Sequence, residues 1–137
     1  MIIRLAQAAD IPQLTALHPL LFTQSVWRAE NWQKALSKQT TPVWVILSSV
    51  GLVGFCAVQR IADESEIQTI GIHPDYQRYG HACRLLGHVI KSLEEQSVAR
   101  VFLEVEHSNT AAITLYEKLG FHELGERRDY YGRGRHA

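Results

Sequence analysis

The stretch Gln77-Arg78-Tyr79-Gly80-His81-Ala82 stands between an apolar run ending at Ile72 and an amphipathic one. It can do chemistry without any reactive side chain. The first N–H groups of a helix lack an internal partner and carry partial positive charge. Gly80 removes a side chain where a ligand must approach the main chain, and small Ala82 does nearly the same. A diphosphate could rest on the N–H groups of Arg78 through Cys83, with the Arg78 guanidinium adding a charge contact. Taken alone, the turn also has a plainer reading, an ordinary glycine ahead of a helix. The glycines of the GxGxxG dinucleotide fingerprint are missing, and so is the Gly-Lys-Ser/Thr ending of a P-loop.

Other side chains of chemical interest form weaker patterns. The seven histidines are scattered. His81 and His88 lie two turns apart on one expected helix, too far to share a metal, so no metal is expected. Cys56 and Cys83 form no CxxC pair and have no nucleophile signature. They read as two thiols in a reducing cytosol, which places the chain in the cytoplasm. No Ser-His-Asp order stands out.

The elements that must position the turn follow from periodicity. Ile2 to Gln7 reads as a short strand. Asp10 is expected to cap a helix with Pro12 in its first turn, ending near Pro19. A second helix is expected after Ser25, through Trp32 and Leu36. Val43–Ser48 and Val53–Ile61 are β-branched strands joined by a turn over 49–52. Ser65–Ile72 is a third, in which Gly71 marks a bulge or a close backbone approach. Ala82, Leu85, Leu86, Val89, Ile90 and Leu93 then give the stripe of one buried helix face. Ala99–Glu106 is another strand. Ser108 or Asn109 can cap a helix that buries Ala112, Leu115, Tyr116 and Leu119 and stops at Gly120. Phe121–Glu126 is a last readable strand.

The 137 residues suit one domain over 1–137, with no linker or repeat. Apolar residues make up 46% and charged residues 20%, an ordinary globular balance. Fourteen Lys plus Arg offset fourteen Asp plus Glu, which argues against whole-protein attraction to nucleic acid or an anionic membrane. The most apolar stretch, Val43–Val58, is shorter than a membrane helix needs, and the N-terminus has no signal-peptide pattern.

Read as a whole, the pattern is more specific. Gln68 through Ala82, an apolar-x-apolar strand, x-Pro, then Gln-x-x-Gly-x-Ala, resembles the core acetyl-CoA motif of the GNAT acetyltransferases. Leu103-Glu104-Val105-Glu106, Ser108-Asn109, Ala111-Ala112 and Leu115 through Phe121, followed by Arg127-Arg128-Asp129-Tyr130-Tyr131, are similar to the ribosomal-protein alanine N-acetyltransferases within that superfamily. The match covers residues 66–131.

The resemblance implies a mixed α/β fold. Its central, mostly antiparallel sheet splays in the middle and is flanked by helices. It implies acetyl-CoA as cosubstrate, with pantetheine between the strands at Ile70, Gly71 and Ile72 and at 101–106. The pyrophosphate then rests on Arg78, Tyr79, Gly80, His81, Ala82 and Cys83, and Asn109 touches the pantetheine arm. Glu104 becomes the general base and Tyr116 the general acid. The acceptor becomes a protein N-terminus, that of a ribosomal protein.

Elementary chemistry supports those roles. Acyl transfer needs a neutral amine, so a carboxylate such as Glu104 must take the ammonium proton, directly or through water. The departing thiolate needs a proton, which a phenol such as Tyr116 can give. The Ile72 N–H, freed if the strand bulges at Gly71, is a donor for the carbonyl oxygen. Each residue keeps a plainer reading: a solvated strand charge, a core aromatic, and for Asn109 a helix cap. An α-amine with a pKa near 8 is about a tenth neutral at pH 7, whereas lysine is below ~0.1% neutral. A carboxylate base therefore suits a peptide N-terminus. Acetylation of a small amine or lysine, or cofactor binding without catalysis, are the alternatives.

Two departures from the pattern stand out. His81 follows Gly80, where the family usually has an apolar residue or glycine. The chain also stops at Ala137, so a final strand is expected to be missing, leaving an open edge. The basic residues Arg127, Arg128, Arg133 and Arg135 read as a solvated end or as contacts to RNA or the cofactor's 3′-phosphate.

Overall fold

The computed structural model describes residues 1–106, 108–123 and 129–131, the last three by backbone only. One seven-stranded sheet runs through it in the order β1-β2-β3-β4-β5-β7-β6. The strands are β1 (Ile2–Leu5), β2 (Val43–Ser48), β3 (Gly51–Ile61), β4 (Glu64–Ile72), β5 (Arg100–Glu104), β6 (His122–Glu123) and β7 (Asp129–Tyr131). The helices are α1 (Ile11–Leu21), α2 (Ala29–Leu36), α3 (His81–Glu95) and α4 (Thr110–Lys118).

β1 to β4 pair antiparallel; tight turns join β2 to β3 and β3 to β4, while α1 and α2 stand between β1 and β2. Gly51, at φ 136°, opens β3, so the β2–β3 turn is two residues shorter than the sequence suggests. β4 then pairs with β5 in parallel, which requires a crossover, and α3 supplies it. α3 buries Leu85, Leu86, Val89, Ile90 and Leu93 against Cys56, Val58, Ile67, Ile72, Val101 and Leu103. This is the spacing read from the sequence, because one face of the helix meets the sheet at helical period. The other face of the sheet is covered by α1 and α2, where Leu14, Leu17, Trp32 and Ala35 pack on Val43, Val45, Phe55 and Ala57. The two cores thus lie on opposite sides of one sheet.

Four expectations need correction. Asp10 stands at the N-cap of α1, but its side chain does not cap the helix: the carboxylate takes two bonds from Arg4, at 2.8 and 3.0 Å, and one from the Gln7 N–H at 2.7 Å. These bonds close the 3-10 turn Ala8–Asp10 and tie β1 to it. α1 also runs past Pro19 to Leu21, because a proline near the end of a helix costs it only one hydrogen bond. The bulge in β4 lies at Gln68 rather than Gly71: Ile67 and Thr69 oppose the adjacent residues Val58 and Ala57. Finally, a closing strand is present. β7 is three residues long and lies between β5 and β6, with Leu103 opposite Tyr130 and His122 opposite Tyr131. A segment this short, next to polar residues, gives too little alternation to read as a strand. Part of the expected Phe121–Glu126 strand, and the basic residues Arg127, Arg128, Arg133 and Arg135, lie outside the described residues.

Candidate active site

β4 and β5 pair over Glu64–Arg100, Ser65–Val101 and Glu66–Phe102 and then separate. The gap opens a cleft of about 430 Å³ lined by 67–72 of β4, by 103–106, and by Asn109, Ala112 and Tyr116 of α4 and its cap. The strand's alternation decides which groups face it. The His73 N–H donates to Val53 O at 2.7 Å, toward β3. Neighbouring residues point their amides the opposite way, so Ile72 and Ile70 turn theirs into the gap. No bulge at Gly71 is needed: the departure of β5 alone frees the Ile72 N–H. The Ile72 carbonyl is already used, since it accepts from Gln77 Nε2 at 2.9 Å. Gln77 thereby ties the phosphate turn to the end of the strand.

Gly71 marks the close approach. A Cβ there would lie 2.5 Å from Leu21 Cδ1 and 3.1 Å from Phe55 Cζ, so α1 closes directly on the strand.

Beyond Ile72 the cleft continues into a second cavity of about 550 Å³. It is lined by Ile70, Gly71, Ile72, Arg78, Gly80, His81, Ala82 and Cys83 on one side and by α4 on the other. Gly80 is the N-cap of α3, at φ 83°, and no side chain caps the helix. The amides of its first turn therefore remain open toward this space. A Cβ on Gly80 would meet nothing within 4 Å, so the left-handed conformation, and not crowding, calls for glycine. Arg78, at φ 71°, shares that conformation without being glycine. Arg84 approaches His81 Nδ1 at 3.5 Å, which puts a second guanidinium beside this end. Tyr79 does not join: it is 72% exposed and lines neither cavity.

Glu104 ends β5 on the face opposite Leu103. It lines the cleft, and it also lines a groove formed with 21–25, Val105 and Glu106 on the α1 side. With Leu21, Phe22, Val105 and Glu106, it lies where the gap between the strands meets the groove. Tyr116 lies across the cleft and lines both cavities. Only 8% of it is exposed, and its ring lies 5.8 Å from Phe121. Burial, with buried Cys56 nearby, pushes its phenol up to about 12. It therefore stays protonated at neutral pH and can give a proton but not readily lose one. The Cys56 thiol is pushed up by complete burial, which removes it as a nucleophile, and Cys83 is a free, half-buried thiol. Asn109 does cap α4, accepting from the Ala112 N–H at 3.1 Å, while it also lines the cleft.

Several residues of this region carry no readable signal in the sequence. Leu21 and Phe22 line the cleft from the end of α1, and Thr23, Gln24 and Ser25 line the groove. His18 stacks on Phe22 and accepts from the Trp27 N–H. Gln77, the first residue of the Gln-x-x-Gly-x-Ala motif, was given no role by the sequence and emerges as a structural tie. Among the described residues, no helix is long and apolar enough to cross a membrane.

The same arrangement recurs in known proteins. The chain is 48% identical over 80 residues to the ribosomal protein bS18-alanine N-acetyltransferase of Escherichia coli strain K12. That alignment covers 58% of this chain and 54% of the relative, so the chain spans about half the length of the relatives it matches in this way. The crystal structure of the ribosomal-protein-S18-alanine N-acetyltransferase from Escherichia coli superposes with a TM-score of 0.86 at 28% identity, covering 99% of this chain and 95% of that one. An N-acetyltransferase from Thermoplasma acidophilum, solved in complex with coenzyme A, shares the fold with a TM-score of 0.80 at 17% identity, over 96% and 97% of the two chains. The profile of one family matches residues 10–121, which takes in the parted strands, the open-amide turn and both helices that flank them: the chain belongs to the acetyltransferase (GNAT) family.

Proposed function

We propose that this protein moves an acetyl group from acetyl-CoA to a primary amine, the α-amine of a protein N-terminus beginning with alanine, and that the acceptor is a ribosomal protein in the cytoplasm. The observation that carries this reading is the position of Glu104, shared by the cleft between the strands and the groove beside α1. The names of the most similar relatives support the acceptor.

The residues present fit the cosubstrate. The open amides of the first turn of α3 suit a diphosphate, with Arg78 adding charge. The inward-turned edge at Ile70 and Ile72 suits a chain of amides such as pantetheine. Acetyl-CoA supplies an acyl group activated as a thioester. Glu104, reached from the groove, takes the proton of the incoming ammonium, directly or through water. The Ile72 N–H faces the gap and donates to the acyl oxygen as charge collects there. Tyr116, kept protonated by burial, gives its proton to the departing sulfur.

Thiol release from acetyl-CoA, measured with peptides that begin with Ala, Ser, Met or acetylated Ala plus an internal lysine, tests the reading. Mass spectrometry should place the acetyl on the α-amine of the Ala peptide. Glu104→Gln and Tyr116→Phe should each lower kcat about 100-fold or more while coenzyme A affinity by calorimetry holds. Label on lysine alone would replace the acceptor assignment. Binding without turnover on every amine would replace catalysis with a binding role.

A further inference from the structure

His18 lies on α1 with only 1% of its surface exposed, inside a box of neutral rings. Phe22 stacks on it at 4.5 Å and Phe55 at 5.4 Å, while Trp27 and Trp32 lie 6.1 and 5.9 Å away. An apolar ring would fill this space as well, so the polar ring needs another reason. Its two nitrogens supply one. Nδ1 accepts a hydrogen bond from the Trp27 N–H at 3.2 Å. The neutral ring must then carry its proton on Nε2, which faces Thr69 Oγ1 at 3.0 Å and donates to it. Trp27 closes the loop 22–28, whose first residues line the groove to Glu104. Thr69 precedes Ile70, whose backbone edge faces the cleft.

We propose that His18 is the positioning residue for the acceptor: it ties the groove loop at Trp27 to the cofactor strand at Thr69 and so sets how the groove opens onto Glu104. The inference rests on the reading of that groove as the acceptor's path. The groups that face the ring from every element packed on it are Phe22 of the loop start, Trp27 of the loop, Trp32 of α2, Phe55 of β3 and Thr69 of β4, none of them charged. The tie is therefore made by two hydrogen bonds and the fit of the ring, with no ion pair behind it.

The test uses the whole chain and three variants. Thr69→Val removes one end of the tie with little change of shape. His18→Phe keeps a ring and removes both ends. His18→Gln restores one polar contact. Losing such a bond is worth roughly 5- to 10-fold. Amide exchange by NMR should speed up about 10-fold at Trp27 and its loop neighbours in Thr69→Val and His18→Phe, less in His18→Gln, and stay unchanged in α3 and β5. In His18→Phe the KM for the acceptor peptide should rise about 5- to 10-fold, with kcat and the KM for acetyl-CoA within 2-fold. Unchanged loop exchange in soluble, folded Thr69→Val overturns the proposal, as does an equal rise of both KM values. If the wild-type chain acetylates nothing, the activity reading fails, and the exchange experiment still decides whether His18 holds the loop.

Discussion

A single buried ring should make this protein's stability fall in mild acid. Burial pushes His18 down to about 4, against an ordinary value of 6.5. Between those values the unfolded chain binds one proton more than the folded one, so stability rises with pH across the interval. The stabilising contribution is complete above pH 6.5 and is lost as pH falls toward 4. At pH 5 the unfolded histidine is almost fully protonated and the folded one almost fully neutral. Linkage then gives a loss of roughly 2 kcal/mol relative to pH 7.5. The geometry explains the sign: a proton on Nδ1 would face the Trp27 N–H, turning a hydrogen bond into a clash of two donors. Asp10, held below the usual carboxylate range by its bonds to Arg4, begins to matter only below its ordinary 3.8, outside this window. Urea unfolding of wild type and His18→Phe at pH 5.0, 6.0, 6.75 and 7.5 measures the effect. The difference between the two proteins should change by roughly 2 kcal/mol across the series, whatever its value at pH 7.5. Parallel curves, with the same dependence in both proteins, would refute the argument.

Other substitutions probe the framework. Gly80→Ala meets no neighbouring atom but must hold a left-handed φ of 83°, so it should fold, lose about 1–2 kcal/mol, and bind coenzyme A more weakly by calorimetry. Gly54→Ala would place a Cβ 2.9 Å from the Gly71 carbonyl oxygen, a backbone atom that cannot step aside, and should lower stability by about 1–3 kcal/mol in urea. Leu85→Ala, in the core beneath α3, should cost about 2–5 kcal/mol by the same measurement. Asp10→Asn leaves Arg4 without its charged partner and should cost about 1–3 kcal/mol, visible as a drop in Tm.

The proposed cofactor half of the site was legible because its requirements are local. A turn that needs a left-handed residue, a strand just before it and a helix stripe just after it all lie within 68–93, and each leaves its own trace. Glu104, Tyr116 and Asn109 were legible through the wording of the second segment, not through periodicity: Tyr116 by spacing alone is a core aromatic, and it is indeed buried. The proposed acceptor half is assembled from separate segments. Leu21, Phe22 and the loop after them meet Glu104 only because α1 is packed across the sheet, and no spacing in the sequence records that meeting. His18 is hidden for the same reason, since its partners Trp27 and Thr69 are 9 and 51 positions away. The position of the bulge escaped because a glycine in a strand signals closeness as readily as irregularity. Gly71 turned out to be the former, and Gln68, an unremarkable residue, the latter.

The sheet acts as a wall between two cores, and on the proposed reading the two substrates draw mainly on different ones. On that reading, residues beneath α3 and α4 shape the pocket for the donor, while those beneath α1 and α2 shape the approach of the amine, with Leu21 and Phe22 lining both the cleft and the groove. Drift in the second set, away from Leu21 and Phe22, would then change the recipient before it changed the hold on the donor. Such a division lets descendants of one ancestor diversify in what they modify while the donor they consume stays the same.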